Sequence, residues 1–242
     1  MTHQAISDNF HNLLDVNEPL TQLGTGFIFT EGALWHPVEQ SLIFSDMPGD
    51  VRRKYIPNVG VSEIARPSNK GNGMTYDADL NLLICEHSTS SVVRVRPDGT
   101  RETLCTHFEG KELNSPNDVV VGNDGSIYFT DPTYGRMEGF GVLRGLQQAF
   151  RGVYRIPPNH TAGDEPLLVV PRDMFGQPNG LCFSPCQKWM WVNDTEQSNI
   201  VRRQGFWNQW RLKLRECLAH LVGFIMRRAV CDASVALRVS FV

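Results

Sequence analysis

The chain has 242 residues, 41% of them apolar, and a formal net charge of −3. This length and composition allow one large all-β domain with a substantial core, or two small domains. The slightly acidic balance gives no reason to expect a nucleic acid or an anionic membrane surface as a partner, and no apolar run reaches the roughly 18 residues that would cross a bilayer.

The N-terminal segment, residues 1–19, has no basic stretch followed by an apolar one, so we expect no secretory signal. Six cysteines are scattered along the chain, and none of them forms a CxxC pair. This usage is typical of reduced thiols in an intracellular protein rather than of a disulfide framework or a zinc site. We therefore predict a cytoplasmic location.

Four stretches of the chain repeat one plan. Each begins with Glu or Asn, continues as a short apolar strand, turns through Pro, Asp, Asn or Gly, and ends a second strand on Asp or Glu. This is the pattern of a β-hairpin. The stretches are EGALWHPVEQSLIFSD at 31–46, NGMTYDADLNLLICE at 72–86, NDVVVGNDGSIYFTD at 117–131 and NGLCFSPCQKWMWVND at 179–194.

Further strand candidates lie between these hairpins. SVVRVRPDGTRETLC at 91–105 alternates and turns at PDG, and GVYRIPPN at 152–159 followed by PLLVV at 166–170 repeats that plan. Each unit thus supplies about four strands in about 40–45 residues, which is the size of a β-propeller blade. The sequence therefore predicts an all-β fold with about four propeller blades, and an insertion at 134–150 that forms a loop or a short helix.

The first polar residue has the same place in all four units. In a propeller the innermost strands line a central channel, so rotational repetition brings these residues together around one axis. Carboxylate and amide oxygens are ligands suited to Ca²⁺, and less well to Mg²⁺ or Mn²⁺. The alternative is that Asn and Asp only begin and end strands because they favour turns; four units in register, three of them followed by glycine, favour the ring. The residues are Glu31, Asn72, Asn117 and Asn179.

The acids that close the second strands are expected just behind this ring, as outer partners of its ligands or as additional charge. Among them, Asp131 and Asp194 are the candidate catalytic carboxylates. His87, which follows the terminal acid Glu86, is the best candidate for a histidine proton carrier. A packed, hydrogen-bonded histidine remains the alternative for His87.

Several motifs, in order, resemble the family of senescence marker protein, gluconolactonase and luciferin-regenerating enzyme, with the gluconolactonase-like branch the most similar. The resemblance covers roughly residues 20–203, which we take as a partial propeller domain. The matching stretches are FTEGALWHP, FSDMPGD, NGMTYD, LNSPNDVVVGNDGSIYFTDPTYG and PNGLCFSP.

The resemblance implies a six-bladed propeller with a divalent cation at the channel floor, commonly Ca²⁺ and alternatively Mg²⁺, Mn²⁺ or Zn²⁺. It implies that Glu31, Asn117 and Asn179 are metal ligands, and that Asn72, His87 and Asn117 contribute to the substrate pocket. The implied reaction is hydrolysis of a small-molecule sugar lactone, with a carboxylate beside the cation as general base. The family usually provides that base from a later PDG-type motif, which this chain lacks.

The blade pattern stops after Arg203. Residues 204–242 contain no proline and no further hairpin, and the apolar spacing over 206–228 predicts a helix. We consider three interpretations of this tail: an out-of-frame or aberrantly spliced end, a helical cap or interaction segment, and a diverged fifth blade. Because an open ring lacks part of the channel wall and a ligand, we expect the truncation to impair the activity.

Two other functions compete with a lactonase. The first is a non-catalytic propeller that binds partners, since fold alone does not give function; such a protein has no need of Glu31 in register with Asn117 and Asn179. The second is a phosphotriesterase-like hydrolase, which shares this cation geometry in related propellers. The sequence does not indicate an oligomeric state.

Overall fold

The structure, a computed structural model, describes residue 19 and residues 21–161 and 163–204. This part of the chain is almost entirely strand and turn, which confirms the predicted all-β fold. None of its helices is long and apolar enough to span a bilayer. Apart from Pro19 and Gln204, the predicted N-terminal segment 1–19 and tail 204–242, with its helix over 206–228, lie outside the described residues.

The first two blades are four-stranded antiparallel sheets in which each strand pairs with the next along the chain. The first consists of β1 (Thr30–His36), β2 (Ser41–Asp46), β3 (Val51–Ile56) and β4 (Gly60–Ala65). The second consists of β5 (Gly71–Tyr76), β6 (Leu82–Glu86), β7 (Ser91–Val95) and β8 (Arg101–Cys105). The hairpins predicted at 31–46, 72–86 and 91–105 are therefore confirmed.

The third blade has four strands and the fourth has three within the described residues. The third consists of β11 (Val119–Val121), β12 (Ile127–Asp131), β13 (Gly152–Ile156) and β14 (Leu167–Leu168), and the fourth of β15 (Pro178–Phe183), β16 (Trp189–Asp194) and β17 (Asn199–Gln204). Before the third blade lies a small hairpin of β9 (His107–Phe108) and β10 (Lys111–Glu112). Within the predicted insertion, a single 3₁₀ turn at Tyr134–Arg136 leads into a loop.

The blades pack face to face, and their alternating side chains explain why the strands are buried on both sides. In β12, for example, Ile127 and Phe129 pack toward the second blade while Tyr128 packs toward the fourth. Successive side chains of a strand point to opposite faces, so one strand contributes to two cores. Each interface between neighbouring blades is thereby filled by residues of both sheets.

The innermost strands β1, β5, β11 and β15 are neighbours in this order, so they surround one side of a common axis. Three of them carry a register shift near their first residues, between Glu31 and Leu34, between Gly71 and Met74, and between Pro178 and Leu181. A β-bulge of this kind bends the strand and redirects its side chains. The repeated bulges therefore act on the residues that the sequence analysis placed around the axis.

Candidate functional site

The predicted ring residues occupy corresponding places in the fold. Glu31, Asn72 and Asn179 are the second residues of β1, β5 and β15. Asn117 lies two residues before β11, where its backbone N–H donates to the carbonyl oxygen of Thr130 at 2.9 Å. All four thus lie at the beginning of an innermost strand, at one end of the blades.

Glycines allow these strand beginnings to approach one another closely. A Cβ on Gly32 would lie 2.0 Å from the carbonyl oxygen of Asn72, and one on Gly73 would lie 2.6 Å from that of Asn117. Gly32 also has a φ of +59°, a conformation that glycine adopts at little cost. A Cβ at either position would force two blades apart.

Hydrogen bonds between neighbouring blades fix the asparagine backbones. The Ser45 hydroxyl donates to the carbonyl oxygen of Asn72 at 3.1 Å, and the Thr130 hydroxyl donates to that of Asn179 at 2.6 Å. The N–H of Gly73 donates to the carbonyl oxygen of Asn117 at 2.8 Å. Each asparagine is therefore held from the preceding blade, and we call these contacts the inter-blade hydrogen bonds.

Two carboxylates interact electrostatically at this end of the channel. Burial and, to a smaller extent, the negative charge of Asp118 raise the pKa of Glu31 to about 7, against a backbone hydrogen bond from Gly32. Burial also raises the pKa of Asp118 to about 6, although the Leu181 and Val119 amides stabilise its charged form at 3.0 and 2.9 Å. Neither acid has an ion-pair partner among the described residues.

Asp118 was not among the predicted site residues, although the sequence carries a signal for it. It follows Asn117 at the place where the other three units have Gly32, Gly73 and Gly180. An acid in a position otherwise occupied by glycine lies against its neighbours: Asp118 Oδ1 is 2.6 Å from where a Gly73 Cβ would be, and Oδ2 is 3.6 Å from that of Gly180. Its carboxylate therefore lies between the second and fourth blades.

The amides around these acids leave oxygen atoms available. Asn179 donates from Nδ2 to the Thr195 hydroxyl at 3.2 Å, while Asn117 is 5% exposed and its side chain has no hydrogen-bond partner in the described part of the chain. No group of three His, Cys, Asp or Glu side chains suited to a metal ion occurs in that part. A cation at this end of the channel would depend on amide oxygens as well as carboxylates.

The terminal acids of the hairpins face a different part of the structure. Asp46, Asp131 and Asp194 are buried, and each accepts hydrogen bonds from two successive backbone amides just before the innermost strand of its own blade. Glu86 accepts from the Asn69 side chain and pairs with Arg101 at 2.7 Å. The described contacts of these acids anchor the connection that leads into each blade.

The two predicted catalytic acids show this anchoring in detail. Asp131 accepts from the N–H groups of Asn114 and Ser115 at 2.9 and 2.7 Å. Asp194 accepts from those of Gly176 and Gln177 at 2.7 and 2.9 Å. Burial raises the pKa of Asp131 to about 7, against these backbone hydrogen bonds. A catalytic role for Asp131 or Asp194 stays a prediction.

His87 is fully buried directly after β6, with both ring nitrogens engaged. Its Nε2 lies 3.2 Å from Nδ2 of Asn72, and its Nδ1 lies 2.9 Å from the carbonyl oxygen of Phe140. Burial lowers the pKa of His87 to about 4, with a smaller contribution from Lys70 and against the hydrogen bond to Phe140. The imidazole is therefore neutral at physiological pH.

Comparison with known proteins identifies the family. The model of the SMP-30/Gluconolactonase/LRE-like region matches residues 29–209, and the chain belongs to this family. The gluconolactonase of Zymomonas mobilis is 28% identical over 201 residues, which cover 77% of this chain and 54% of that protein. The chain therefore spans about half the length of this relative.

Solved structures confirm the propeller fold. A gluconolactonase from Xanthomonas campestris superposes with a TM-score of 0.69 at 31% identity, covering 77% of this chain and 61% of that one. A structural-genomics protein described provisionally as a gluconolactonase gives 0.75 at 32% identity, covering 82% and 67%. A calcium-binding regucalcin from Agrobacterium tumefaciens, at 13% identity, covers 78% of this chain and 60% of its own with a TM-score of 0.59, and shows the fold alone.

Proposed function

We propose that this protein hydrolyses a lactone with the help of a divalent cation held by Glu31, Asn117 and Asn179. The observation that carries the proposal is the common position of Glu31, Asn117 and Asn179 at the beginnings of closely packed innermost strands. At this end of the channel, the charge of Asp118 acts on Glu31. Two partly buried acids that interact with each other are unfavourable when both are charged, unless a positive charge compensates them.

The donor set fits a hard cation. One carboxylate from Glu31 and the amide oxygens of Asn117 and Asn179 match the oxygen ligands that Ca²⁺ accepts, and Asp118 adds negative charge nearby. Zinc favours nitrogen and sulfur ligands, so we rank Ca²⁺ first and Mg²⁺ or Mn²⁺ after it. Similarity to gluconolactonases supports the lactone as the class of substrate.

The chemistry divides between the cation and the side chains. A cation in this site, when bound, would act as a Lewis acid toward the lactone carbonyl. In the proposal, water attacks the carbonyl carbon, the ring C–O bond breaks, and a hydroxy acid leaves. Asp118, oriented by the amides of Val119 and Leu181, accepts the proton of the attacking water and returns it to the ring oxygen as the C–O bond breaks. The Asn72 amide contacts substrate hydroxyl groups.

Asp131, Asp194 and His87 have no direct part in this version of the reaction. Asp131 and Asp194 are almost fully buried at the connections that lead into their blades, whereas Asp118 is partly exposed. Both ring nitrogens of His87 contact other protein groups, and a proton carrier needs an atom within reach of the substrate. The phosphotriesterase-like alternative would use the same oxygen donors, and we rank it second because the named relatives are gluconolactonases. A partner-binding propeller does not account for the pair Glu31 and Asp118.

The test is the opening of glucono-1,5-lactone by the purified protein, followed with and without a chelator and with added Ca²⁺. We expect Ca²⁺-dependent turnover that falls by roughly 10²-fold or more in Glu31→Gln, because an acid ligand becomes a neutral amide. Glu63→Gln is the matched control, since Glu63 is exposed on β4 and pairs with Arg66. Turnover that is absent in the wild type, or equal in both variants, would contradict the proposal.

A further inference from the structure

His87 connects the candidate site to the loop between β12 and β13 of the third blade. One ring nitrogen contacts the Asn72 amide at the beginning of β5, and the other contacts the backbone of Phe140, 53 residues further along the chain. The histidine is 0% exposed. It therefore lies between a side chain at the channel and a loop that belongs to another blade.

The partners fix the tautomer of the ring. A carbonyl oxygen only accepts hydrogen bonds, so Nδ1 of His87 must carry the proton that faces Phe140. In the neutral ring Nε2 is then an acceptor, and the Asn72 amide must donate to it from Nδ2. The backbone carbonyl of Phe140 thus determines the orientation of the Asn72 amide, because it fixes which nitrogen of His87 is protonated.

This orientation leaves Oδ1 of Asn72 as the free atom of the amide. Asn72 is 4% exposed, and no hydrogen bond within the described residues involves its Oδ1. The oxygen is thus without a protein partner there, while the nitrogen is held by His87. A rotated amide would place its NH₂ group toward the channel and its oxygen against the unprotonated Nε2, where two acceptors would repel.

The loop end of this connection is anchored to the first two blades. The Phe140 ring packs edge to face on Phe29, with centroids 5.5 Å apart, and Phe29 lies two residues before Glu31. The Lys70 ammonium donates to the carbonyl oxygen of Gly139 at 3.2 Å. Gly135 lies so close to His87 that a Cβ there would be 2.7 Å from the His87 Cβ.

We propose that His87 is a positioning residue, which holds the Asn72 amide with its oxygen toward the channel and links that orientation to the loop at Phe140. It transfers no proton in the reaction. The consequence for the substrate is that it meets an acceptor at Asn72, which suits the hydroxyl groups of a lactone. This last consequence rests on the proposed function, whereas the tautomer and the amide orientation do not.

Two conservative variants separate the two contacts of the ring. The amide of glutamine reaches the position of Nε2, so His87→Gln retains an acceptor for Asn72 and loses the donor to Phe140. The shorter amide of asparagine reaches the position of Nδ1, so His87→Asn retains the donor to Phe140 and loses the acceptor for Asn72. A proton carrier would be lost equally in both variants.

The kinetic test compares these variants with the wild type on glucono-1,5-lactone. We expect His87→Asn to lower kcat/KM by about 10–100-fold, the usual effect of removing a group that orients a site residue. His87→Gln should retain at least about tenfold more activity than His87→Asn, by the same reasoning. Equal losses in the two variants would overturn the positioning role.

A second measurement needs no catalysis. ¹⁵N NMR of the wild-type imidazoles, with the His87 signals assigned by their absence in His87→Asn, should show a proton on Nδ1 and none on Nε2. Asn72→Ala should shift the Nε2 signal more than the Nδ1 signal, because only Nε2 contacts Asn72. A proton on Nε2, or a charged ring at neutral pH, would overturn the inference even if the protein is an active lactonase.

Discussion

For the residues of the candidate site, the sequence predicts the position of a side chain in the fold better than its hydrogen-bond partners. The common position of Glu31, Asn117 and Asn179 could be predicted because the blades repeat around one axis. Residues at equivalent positions in the repeats therefore lie at the same end of neighbouring innermost strands. The environment of Asp131 and Asp194 could not, since a sequence gives the type of a residue and not the backbone amide it faces. The same holds for His87, whose partner at Phe140 is a main-chain carbonyl.

Asp118 could have been found by comparing the four repeats with one another, although its residue type alone does not distinguish it from other acids. Its carboxylate stands where three equivalent positions have glycine, so the departure from the repeat marks the site. Glycine there permits close packing of two strands, while an acid in the same place needs donors, which the amides of Val119 and Leu181 supply. Differences between repeats are thus as informative as their similarities.

The buried acid Asp131 gives a pH dependence of stability with a defined sign. Burial raises its pKa from 3.8 to about 7 in the folded protein. Between these values the folded state holds a proton that the unfolded chain has released, so the contribution of Asp131 to the free energy of unfolding falls as the pH rises through this window. Above about pH 7 both states are ionised and this contribution no longer changes.

Urea unfolding of wild type and Asp131→Asn from pH 4.5 to 8 measures this contribution, because asparagine does not titrate. We expect the stability of the wild type relative to the variant to decline toward pH 7 and then level off. A relative stability that rises with pH over the same range would show that the backbone hydrogen bonds of Asn114 and Ser115 outweigh burial.

At the level of strands, the hairpins were predictable because alternation and turn residues coincide. β1 with β2 and β5 with β6 follow the sequence pattern closely. The outermost strands are less regular: the predicted run at 166–170 forms only the two-residue strand Leu167–Leu168. The small hairpin of β9 and β10, with two residues in each strand, is too short to give a period.

The loop at 134–150 illustrates the other limit on prediction from sequence. Its irregular character was predicted, but its attachment depends on long-range contacts of single groups. The buried Arg136 guanidinium pairs with Glu112 at 2.9 Å and donates to backbone carbonyls of Leu113 and Asn114. Such contacts follow from the path of the chain and not from local preference.

Close approach of the innermost strands predicts a large effect at Gly32. In Gly32→Ala the new Cβ would lie 2.0 Å from the Asn72 carbonyl oxygen at a φ of +59°, so both contact and conformation become unfavourable. We expect a loss of roughly 3–5 kcal/mol in the free energy of unfolding, measured by urea denaturation. The loss combines strain at the backbone with separation of the first two blades.

Gly110→Ala is the matched control. Its φ of +68° is similar, but nothing lies within 4 Å of the added Cβ. We expect only the conformational cost there, about 1–2 kcal/mol. Equal losses at Gly32 and Gly110 would mean that the contact between blades at Asn72 is easily relieved.

For the molecule as a whole, the all-β propeller and its repeat could be predicted from the sequence, because each blade has its own hairpin pattern of strand and turn residues. The similarity to gluconolactonase structures extends over 77–82% of the chain. Which cation and which substrate the proposed site would accept depends on a few distances at the channel end, where strands of several blades meet. The sequence therefore predicts the class of site better than its ligand.

Binding of a cation should stabilise the whole molecule. A ligand that binds only the folded state at 100 times its Kd adds about 2.7 kcal/mol, so we expect Ca²⁺ to raise Tm by roughly 5–10 °C in a thermal melt. Glu31→Gln should lose most of this rise, and Glu63→Gln should keep it. The same rise in both variants would place the cation elsewhere.

The inter-blade hydrogen bonds have a consequence for the shape of the array. Each one joins only adjacent sheets, from Ser45 to Asn72 and from Thr130 to Asn179, so the angle between successive sheets is set pair by pair. The curvature of the array is consequently a local property, which is determined at each interface by the contacts between two adjacent sheets. Within the described residues, the curvature of the four sheets is therefore maintained by contacts between neighbouring sheets.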